Sequence, residues 1–566
     1  MTGDQLDLPK LRNAHPSLGT RAVGWLRHIH RKATTTDDWS EDGAPHEWWD
    51  HKSQEPLLSF PRFDLSESSY AIGIMADQTP AWRELYAEIL EGLARRHITY
   101  WAAVDWLSQF GDDPRRGSYP QAWIDAYIPD ALVGRYNTPG WVANGIAPYG
   151  LQPEPIAADG NLFFKGWLNL VQSLHAYVTG KDEWGDPFLV AGVDRSRFEW
   201  TQHRLVDLIV KQWTDNPLGP HCENTKIWPF CLSAAGLGLQ LYDKMFRRSS
   251  HDVYDSWLVT NKSRYFATEG GALKSVAFYY DPIIGHTQWQ QPFGALPVCF
   301  YLAPQEPVFA EFLYHGAVTS LGWNDPKKPI VQIPEPRRMT VALAVAREFG
   351  DDVTRARLES YAEEHFEPRF FGDGEFGFWF KLGEPWPRGQ LSASAMVAEV
   401  GKPGAWTQLF RHPNLRKFLQ PTVEGVDYPT LGVTQAWNDL SAGVLHIATY
   451  AGDSARAGQA TSLRVRGIPD TARVEVRCDG APYTAWRVNS VDAITIETTC
   501  ETRSFEVMTG YHDDKEQRYE FTRGNRKSEV RKPPSRSTPE GSAQPSRRAR
   551  ISDVFGSASS GCCGSA

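Results

Sequence analysis

The sequence of 566 residues predicts a mainly α protein with a small C-terminal antiparallel β module and a disordered tail. Three observations carry this. Apolar residues recur at helical spacing in segment after segment between about residues 68 and 410. The period changes to two after about residue 415. From about residue 511 the chain is polar and poor in large apolar side chains. These changes divide it into an N-terminal arm (1–60), a helical body (61–415), a β module (416–510) and a tail (511–566).

The arm mixes Pro, Asp and His with apolar pieces and ends in Trp48, Trp49, Asp50 and His51. Thr79-Pro80 reads as an N-cap with Pro at the first helical position. Trp82, Leu85, Tyr86, Ile89, Leu90 and Leu93 then line one broad face. The same period returns in 161–179, 198–213, 231–246, 338–348 and 354–366. The connections 137–160 and 278–297 are long and rich in Gly, Pro and aromatics, which in a compact domain usually marks function. Ten or more helices with sparse strand signal leave a solenoid, an irregular bundle or an α/α barrel open. No fixed repeat of about 33 to 47 residues stands out, which counts against the solenoid. In the β module Leu463 and Val465, Val474 and Val476, Ile494 and Ile496, and Phe505 and Val507 alternate with polar neighbours. Gly467 to Asp470 and Asp479-Gly480 supply turns.

Composition excludes several classes. With 41% apolar and 22% charged residues the chain can bury a large core, so wholesale disorder is ruled out. No run of eighteen apolar residues occurs, and the polar, acidic first residues do not resemble a signal peptide, so a soluble cytoplasmic protein is expected. Residues 515–550 hold eleven Lys and Arg against four Glu, leaving −16 of the net −9 on the rest of the chain. An acidic body argues against nucleic acid as a partner. Seven cysteines, odd in number and unevenly spread, form neither a disulfide framework nor a zinc pattern. The basic tail ending in Cys562-Cys563 could serve as a membrane anchor, but an unstructured tail is the stronger expectation. The 22 Trp, 21 Tyr and 27 Phe suggest an aromatic-lined cavity as well as a core.

Chemistry is most concentrated in 221–231, where a loop delivers His221, Cys222 and Glu223 before a helix that starts near Pro229, with Cys231 in its first turn. A thiol at a helix N-terminus can act as acid, base or nucleophile; the bland alternative is a buried, inert Cys231. Phe278, Tyr279, Tyr280, Asp281, His286, Trp289 and Gln290 read as a loop off a helix, a polar corner for acid–base work in an aromatic pocket or simply a capped turn. The aromatic run Phe376 to Phe380 with Trp379 lines either a cavity or the core. Asp105-Trp106 completes the candidates.

Four stretches, taken together, resemble the bacterial linalool dehydratase/isomerase family: Asn161 to Leu170 with Tyr177 to Gly180; Cys222-Glu223 through Cys231, with Leu241-Tyr242-Asp243; Val345 to Asp351; and His365 to Pro368. The resemblance covers about residues 63–400, and the nine-residue spacing of the two cysteines is its most specific element. It implies an (α/α)6 barrel with a central active site that works without metal or organic cofactor on an allylic terpene alcohol. Cys222 and Cys231 match the family's pair. The family's His aligns with Trp167 and one of its Tyr with Phe63, while its Asp falls in the N-terminal part, with Asp50 and Asp64 as candidates. Exchanging imidazole for indole removes a proton shuttle and adds a π surface.

The expected function is therefore a cofactor-independent enzyme of terpenoid or terpenoid–polyketide metabolism that dehydrates, isomerises or cyclises an allylic or polyene substrate. Cys222 and Cys231 would transfer protons, assisted by Asp281 or Tyr280. Trp106, Trp167, Glu223, Trp228, His286, Trp289 and Trp379 would contact a small apolar substrate. The alternatives are a pericyclase that works by positioning alone, a carbohydrate-active α/α barrel using carboxylates among Asp105, Glu223, Asp281 and Glu375, and an apolar-ligand binder. The family's ring assemblies make a homo-oligomer a further expectation.

Overall fold

The computed structural model describes residues 15–50, 61–103, 109–110, 141–142, 154–157, 161–192, 195–222, 226–282, 285–330 and 336–512. Among the described residues, twelve helices of seven or more residues lie between residues 20 and 400: α1 (Thr20–Thr34), α2 (Pro61–Gln78), α3 (Glu84–His97), α4 (Leu162–Thr179), α5 (Gln202–Asp215), α6 (Pro229–Phe246), α7 (Asp252–Tyr265), α8 (Leu296–Leu302), α9 (Pro307–Leu321), α10 (Pro336–Phe349), α11 (Asp352–His365) and α12 (Gly389–Val400); a further short helix, Ala405–Arg411, packs on α6 and α2. The twelve alternate between two layers. The even-numbered helices pack each on the next, and α12 returns to α2, so they form a closed circuit. The odd-numbered helices lie against this circuit from outside: α3 on α2 and α4, α5 on α4, α9 on α8, α11 on α10. Sequence sets the layer. Helices α4 and α6 are apolar or small at most positions and buried almost throughout, and α4 buries Lys165, Asn169, Gln172 and His175 as well. Helix α5 buries a single stripe, Leu205, Val206, Ile209 and Trp213. The apolar face of α1 packs on α3 and α12, which draws part of the N-terminal arm into the outer layer.

Helices α4 and α6 approach closely because glycine faces them. A Cβ on Gly166 would come within 2.6 Å of the Ala235 Cβ, and one on Gly238 within 3.2 Å of the Gly166 carbonyl oxygen. Residue 166 meets 235 while 169 and 170 meet 238, so the two helices run parallel and their N-termini lie at the same end. Gly166→Ala is expected to lower the unfolding free energy by about 1–3 kcal/mol in a urea titration, because neither backbone can retreat without opening the circuit.

Several sequence expectations are corrected. Thr79-Pro80 does not start a helix: Thr79 closes α2, donating its hydroxyl to the Met75 carbonyl at 3.2 Å, and α3 begins only at Glu84. The apolar spacing from residue 82 holds, but tertiary contacts move the start. Residues 198–200 belong to a strand, so the helix expected over 198–213 is α5. The loop expected over 278–297 instead holds the end of one strand (to Asp281), a second strand (His286–Gln290) and the helical turns that lead into α8.

Besides the two-residue pair Gln109–Phe110 with Trp141–Val142, the described strands within the helical body include β1 (Phe188–Ala191) with β2 (Arg197–Trp200), and a three-stranded antiparallel sheet of β3 (Phe266–Glu269), β4 (Ala272–Asp281) and β5 (His286–Gln290). A further hairpin pairs β6 (Pro368–Phe371) with β7 (Glu375–Phe378). The C-terminal module holds β8 (Thr422–Glu424), β9 (Leu431–Asp439), β10 (Val444–Ala451), β11 (Ala460–Arg466), β12 (Glu475–Cys478), β13 (Ala481–Pro482), β14 (Trp486–Ser490), β15 (Ala493–Thr499) and β16 (Ser504–Met508). They form two antiparallel sheets, in the orders β8-β11-β15-β14 and β9-β10-β16-β12-β13. The alternation read from 463–507 is the buried face of these strands: Leu463, Val465, Val476, Ile494, Ile496, Phe505 and Val507 are all inside. Backbone hydrogen bonds tie the module to the turn between α2 and α3, Val423 N to Ala81 O at 2.7 Å and Ala81 N to Ala436 O at 3.0 Å. Among the described residues no helix is long and apolar enough to cross a membrane.

Candidate active site

The N-terminal halves of α2, α6, α10 and α12 carry Glu67, Cys231, Arg337 and Gln390 into the interior. The segment before α6 folds back onto the start of α4: Asn161 N donates to the Cys222 carbonyl at 2.8 Å and Leu162 N to the His221 carbonyl at 3.2 Å. These are the first, otherwise orphaned, amides of α4. Cys222 N donates in turn to Lys226 O at 2.9 Å, and Ile227 exchanges two 2.8 Å backbone bonds with Tyr280 of β4. Pro229 starts α6, which places Cys231 in its first turn. The chain reversal brings the Cys222 and Cys231 Sγ atoms to 3.0 Å, both fully buried. On α6, Cys231 lies one turn before Ala235 on the side that meets α4.

Aromatic rings surround this end. Trp167 meets Phe63 edge-on at 4.8 Å and Phe230 at 5.8 Å between ring centres. The residues aligned with the family's Tyr and His are thus in contact. Trp228 packs on Phe278 at 4.6 Å and Tyr279 at 5.1 Å. Of the polar corner, Asp281 is buried and lies in register opposite His286, whose ring is 6.4 Å from Tyr279. Tyr280 projects from the other face, near Tyr265 and beneath the Arg264 guanidinium. Trp289 is 43% exposed, and Trp379 is buried against Phe371 and Arg369 in the hairpin region. Trp106, Glu223 and Asp105 lie outside the described residues. Asp50 accepts from the first amides of α12, Gly389 N at 3.1 Å and Gln390 N at 3.0 Å, and Asp64 accepts from the buried Lys32 ammonium at 2.8 Å.

Beside the thiols, across Phe230, lies a cavity of about 10 Å³ lined by Glu67, Tyr70, Phe230, Tyr301, Arg337 and Ser394 among others. That is about the room one ordered water needs. Glu67 accepts from the Arg337 guanidinium at 2.6 Å, from Gln390 Nε2 at 3.0 Å and from Ser394 Oγ at 3.0 Å. The Tyr70 and Tyr301 hydroxyls are 3.0 Å apart. Burial, reinforced for Tyr70 by Tyr301 and for both by Glu67, holds the two phenols well above the usual tyrosine pKa, so each stays a proton donor. The Arg337 guanidinium lies over Phe230 at 4.9 Å and Phe63 at 5.5 Å, and that of Arg62 over Phe163 at 3.9 Å and Phe63 at 5.0 Å.

Sequence reasoning missed Glu67, Tyr70, Tyr301, Arg62 and Arg337. One signal was available: Arg62, Asp64, Ser66, Glu67, Ser68 and Ser69 gather in the first half of a helix whose following stretch, Tyr70 to Ala76, is apolar, and a buried polar run needs partners. The identity of the partner was not legible, since Arg337 lies 270 residues away. Arg337→Ala, by stranding the Glu67 carboxylate, is expected to lower the unfolding free energy by about 3–5 kcal/mol. The double variant Glu67→Gln/Arg337→Met, which removes both charges, should recover more than half of that loss in the same denaturation series.

A helical circuit with a buried thiol pair at the shared N-terminal end of two of its helices defines a candidate acid–base site. Residues 144–376 match the family model described as linalool dehydratase/isomerase. The match contains all four stretches that carried the sequence resemblance and bears out the suspected family over this segment, which runs from before α4 into β7. Members of that family are lyases and isomerases, which supports an enzyme in the coarse sense. No curated protein matches the chain. Among solved structures, the α-1,6-mannanase GH76A of Salegentibacter sp. HEL1_6 is similar at 9% identity and TM-score 0.37, over 68% of this chain and 97% of that one. A GH76 α-mannanase of Bacteroides thetaiotaomicron is similar at 9% identity and TM-score 0.36, over 68% and 96%. The endoglucanase CelQ of Clostridium thermocellum follows at 10% identity and TM-score 0.29, over 87% and 92%. Likenesses this weak carry no weight for activity.

Proposed function

We propose that this protein is a lyase or isomerase that moves a proton on an allylic alcohol or polyene, at the end of an (α/α)6 barrel built from the twelve alternating helices. The observation that carries the reading is the contact of Cys222 and Cys231 at 3.0 Å within the family-matched segment. In a dehydration, one thiol protonates the substrate hydroxyl, the C–O bond breaks and water leaves. A base, the other sulfur as thiolate, then takes a proton from the adjacent carbon as the double bond forms. A double-bond shift uses the same groups, with protonation at carbon in place of oxygen. Two adjacent sulfurs suit this exchange because one can hold the proton that the other lacks. Trp167, Phe63 and Phe230 would form the apolar wall. The described cavity is far smaller than such a substrate, so binding must displace Phe230 or widen the end of the circuit.

A second reading, cyclisation by positioning, has a specific observation in its favour. The Arg337 guanidinium already covers the faces of Phe63 and Phe230, so those faces are poorly placed to stabilise a carbocation. A guanidinium and two protonated phenols would instead polarise a carbonyl oxygen by hydrogen bonding. Incubation with linear allylic terpene alcohols and with extracts of the producing organism, with products followed by mass, tests the two. Loss of one water, or an isomer carrying a solvent proton, supports the first. A cyclised product of unchanged mass without solvent-derived hydrogen supports the second.

A further inference from the structure

At the end of α4 opposite the thiols, three side chains from three elements converge. Glu91 comes from α3, His175 from the last turns of α4, and Glu183 from the 3-10 turn Glu183–Gly185 that follows. One ligand atom from each, an imidazole nitrogen and two carboxylate oxygens, lies within 4.8 Å of the others. His175 is 1% exposed, yet neither ring nitrogen makes a hydrogen bond among the described residues. Nδ1 is buried without a partner, and Nε2 points at the Glu183 carboxylate from 3.8 Å, beyond hydrogen-bond reach. A buried imidazole with no hydrogen bond, aimed at two carboxylates, is costly unless something joins them.

We propose that Glu91, His175 and Glu183 bind one divalent first-row metal ion, with Zn²⁺ the best fit. One imidazole and two carboxylates suit this class, and three protein ligands leave a fourth position for water. Tetrahedral zinc with bonds near 2.1 Å sets its ligand atoms about 3.4 Å apart, so the 3.8 Å pair needs only a small inward shift. Burial lowers the His175 pKa to about 4, which keeps the ring in the neutral form that metals bind. Two cations now neutralise the carboxylates from the solvent side: Arg95 donates to Glu91 at 2.9 Å, and Lys181 lies 3.6 Å from Glu183. Their side chains are 59% and 60% exposed, so both are free to swing into water as the ion enters. Trp184, packed edge-on against the His175 ring, forms the dry floor. Counting 1.5 Å per residue along α4, His175 is about 20 Å from the end that meets Cys222. The ion would tie α3, α4 and the following turn together, at a distance from the proton chemistry.

The test is calorimetric titration of the chelator-treated full-length protein with ZnCl₂ at pH 7, with unfolding temperature as a second readout. A Cys222→Ala/Cys231→Ala background excludes binding by the thiols. The expected result is one Zn²⁺ per chain and a raised unfolding temperature, with affinity at least about tenfold weaker in His175→Gln and in Glu183→Gln. Glu183 lies in a partly exposed turn, so its variant remains informative if the buried histidine variant misfolds. Absence of Zn²⁺ binding, or binding of equal affinity in Glu183→Gln, overturns the proposal.

Discussion

Joint replacement of Cys222 and Cys231 by alanine is expected to lower turnover about a thousandfold, within the range that positioned acid–base groups contribute. Each single replacement should cost nearly as much, because groups that exchange one proton act as a unit. The two sulfurs are 3.0 Å apart and fully buried, so loss of either leaves the other without its proton partner. The fold should survive. Each alanine removes a single buried atom, and the backbone bonds of Cys222 to Asn161 and Lys226 do not involve the side chain. Far-UV circular dichroism and a denaturation curve of the double variant separate lost chemistry from lost structure. If the thiols are only packing, turnover will follow whatever small stability change occurs.

Acid should unfold the protein well above the pH at which its carboxylates protonate, because buried histidines must take up protons. His28 is fully enclosed, bonded to Glu375 at 2.8 Å and ringed by Lys32, Arg31, Trp48 and Phe371; burial pulls its pKa from 6.5 to about 4. His97, stacked on Phe164 with Arg62 nearby, falls to about 3, again chiefly by burial. Both folded-state values lie below the unfolded one, so between them the unfolded chain binds more protons. The associated stability is full above pH 6.5 and is lost as pH falls toward 4. Each histidine contributes about 1.36 kcal/mol per pH unit in that window, or about 5 kcal/mol for the two between pH 6.5 and 4.5. Urea unfolding across this range should show the slope, to which His175 adds in the same way, and His28→Gln should lower it by about 1.36 kcal/mol per pH unit. A flat profile would mean that the folded state admits protons to these rings.

The helical body was legible in sequence because periodicity reports burial directly. The stripes at 161–179 and 231–246 became α4 and α6 almost to the residue, and the alternation at 463–507 became the inner face of the β module. Local chemistry misled where tertiary contacts overrode it. Thr79-Pro80 has the form of a helix start, but the β module pairs with Ala81 and Trp82 and delays α3. The 278–290 segment is rich in turn-forming and polar residues, yet its Phe and Tyr pair as strands β4 and β5 against the segment that carries Cys222. At the site, the cysteine pair was legible because both members lie on one short stretch. The Glu67–Arg337 pair and the Tyr70–Tyr301 contact join helices far apart in the chain, and a single sequence carries no record of which distant residues meet.

Solvent deuterium in the product is the most direct test that Cys222 and Cys231 move a proton. Wild-type protein and the double alanine variant would be incubated with linear allylic terpene alcohols in D₂O, with products analysed by mass. The account predicts an isomer carrying one deuterium from solvent, or a diene formed with loss of water and solvent deuterium in recovered substrate, and neither from the variant. A cyclised product of unchanged mass that forms without deuterium in both proteins would contradict it and leave the helical circuit as a template that positions its substrate.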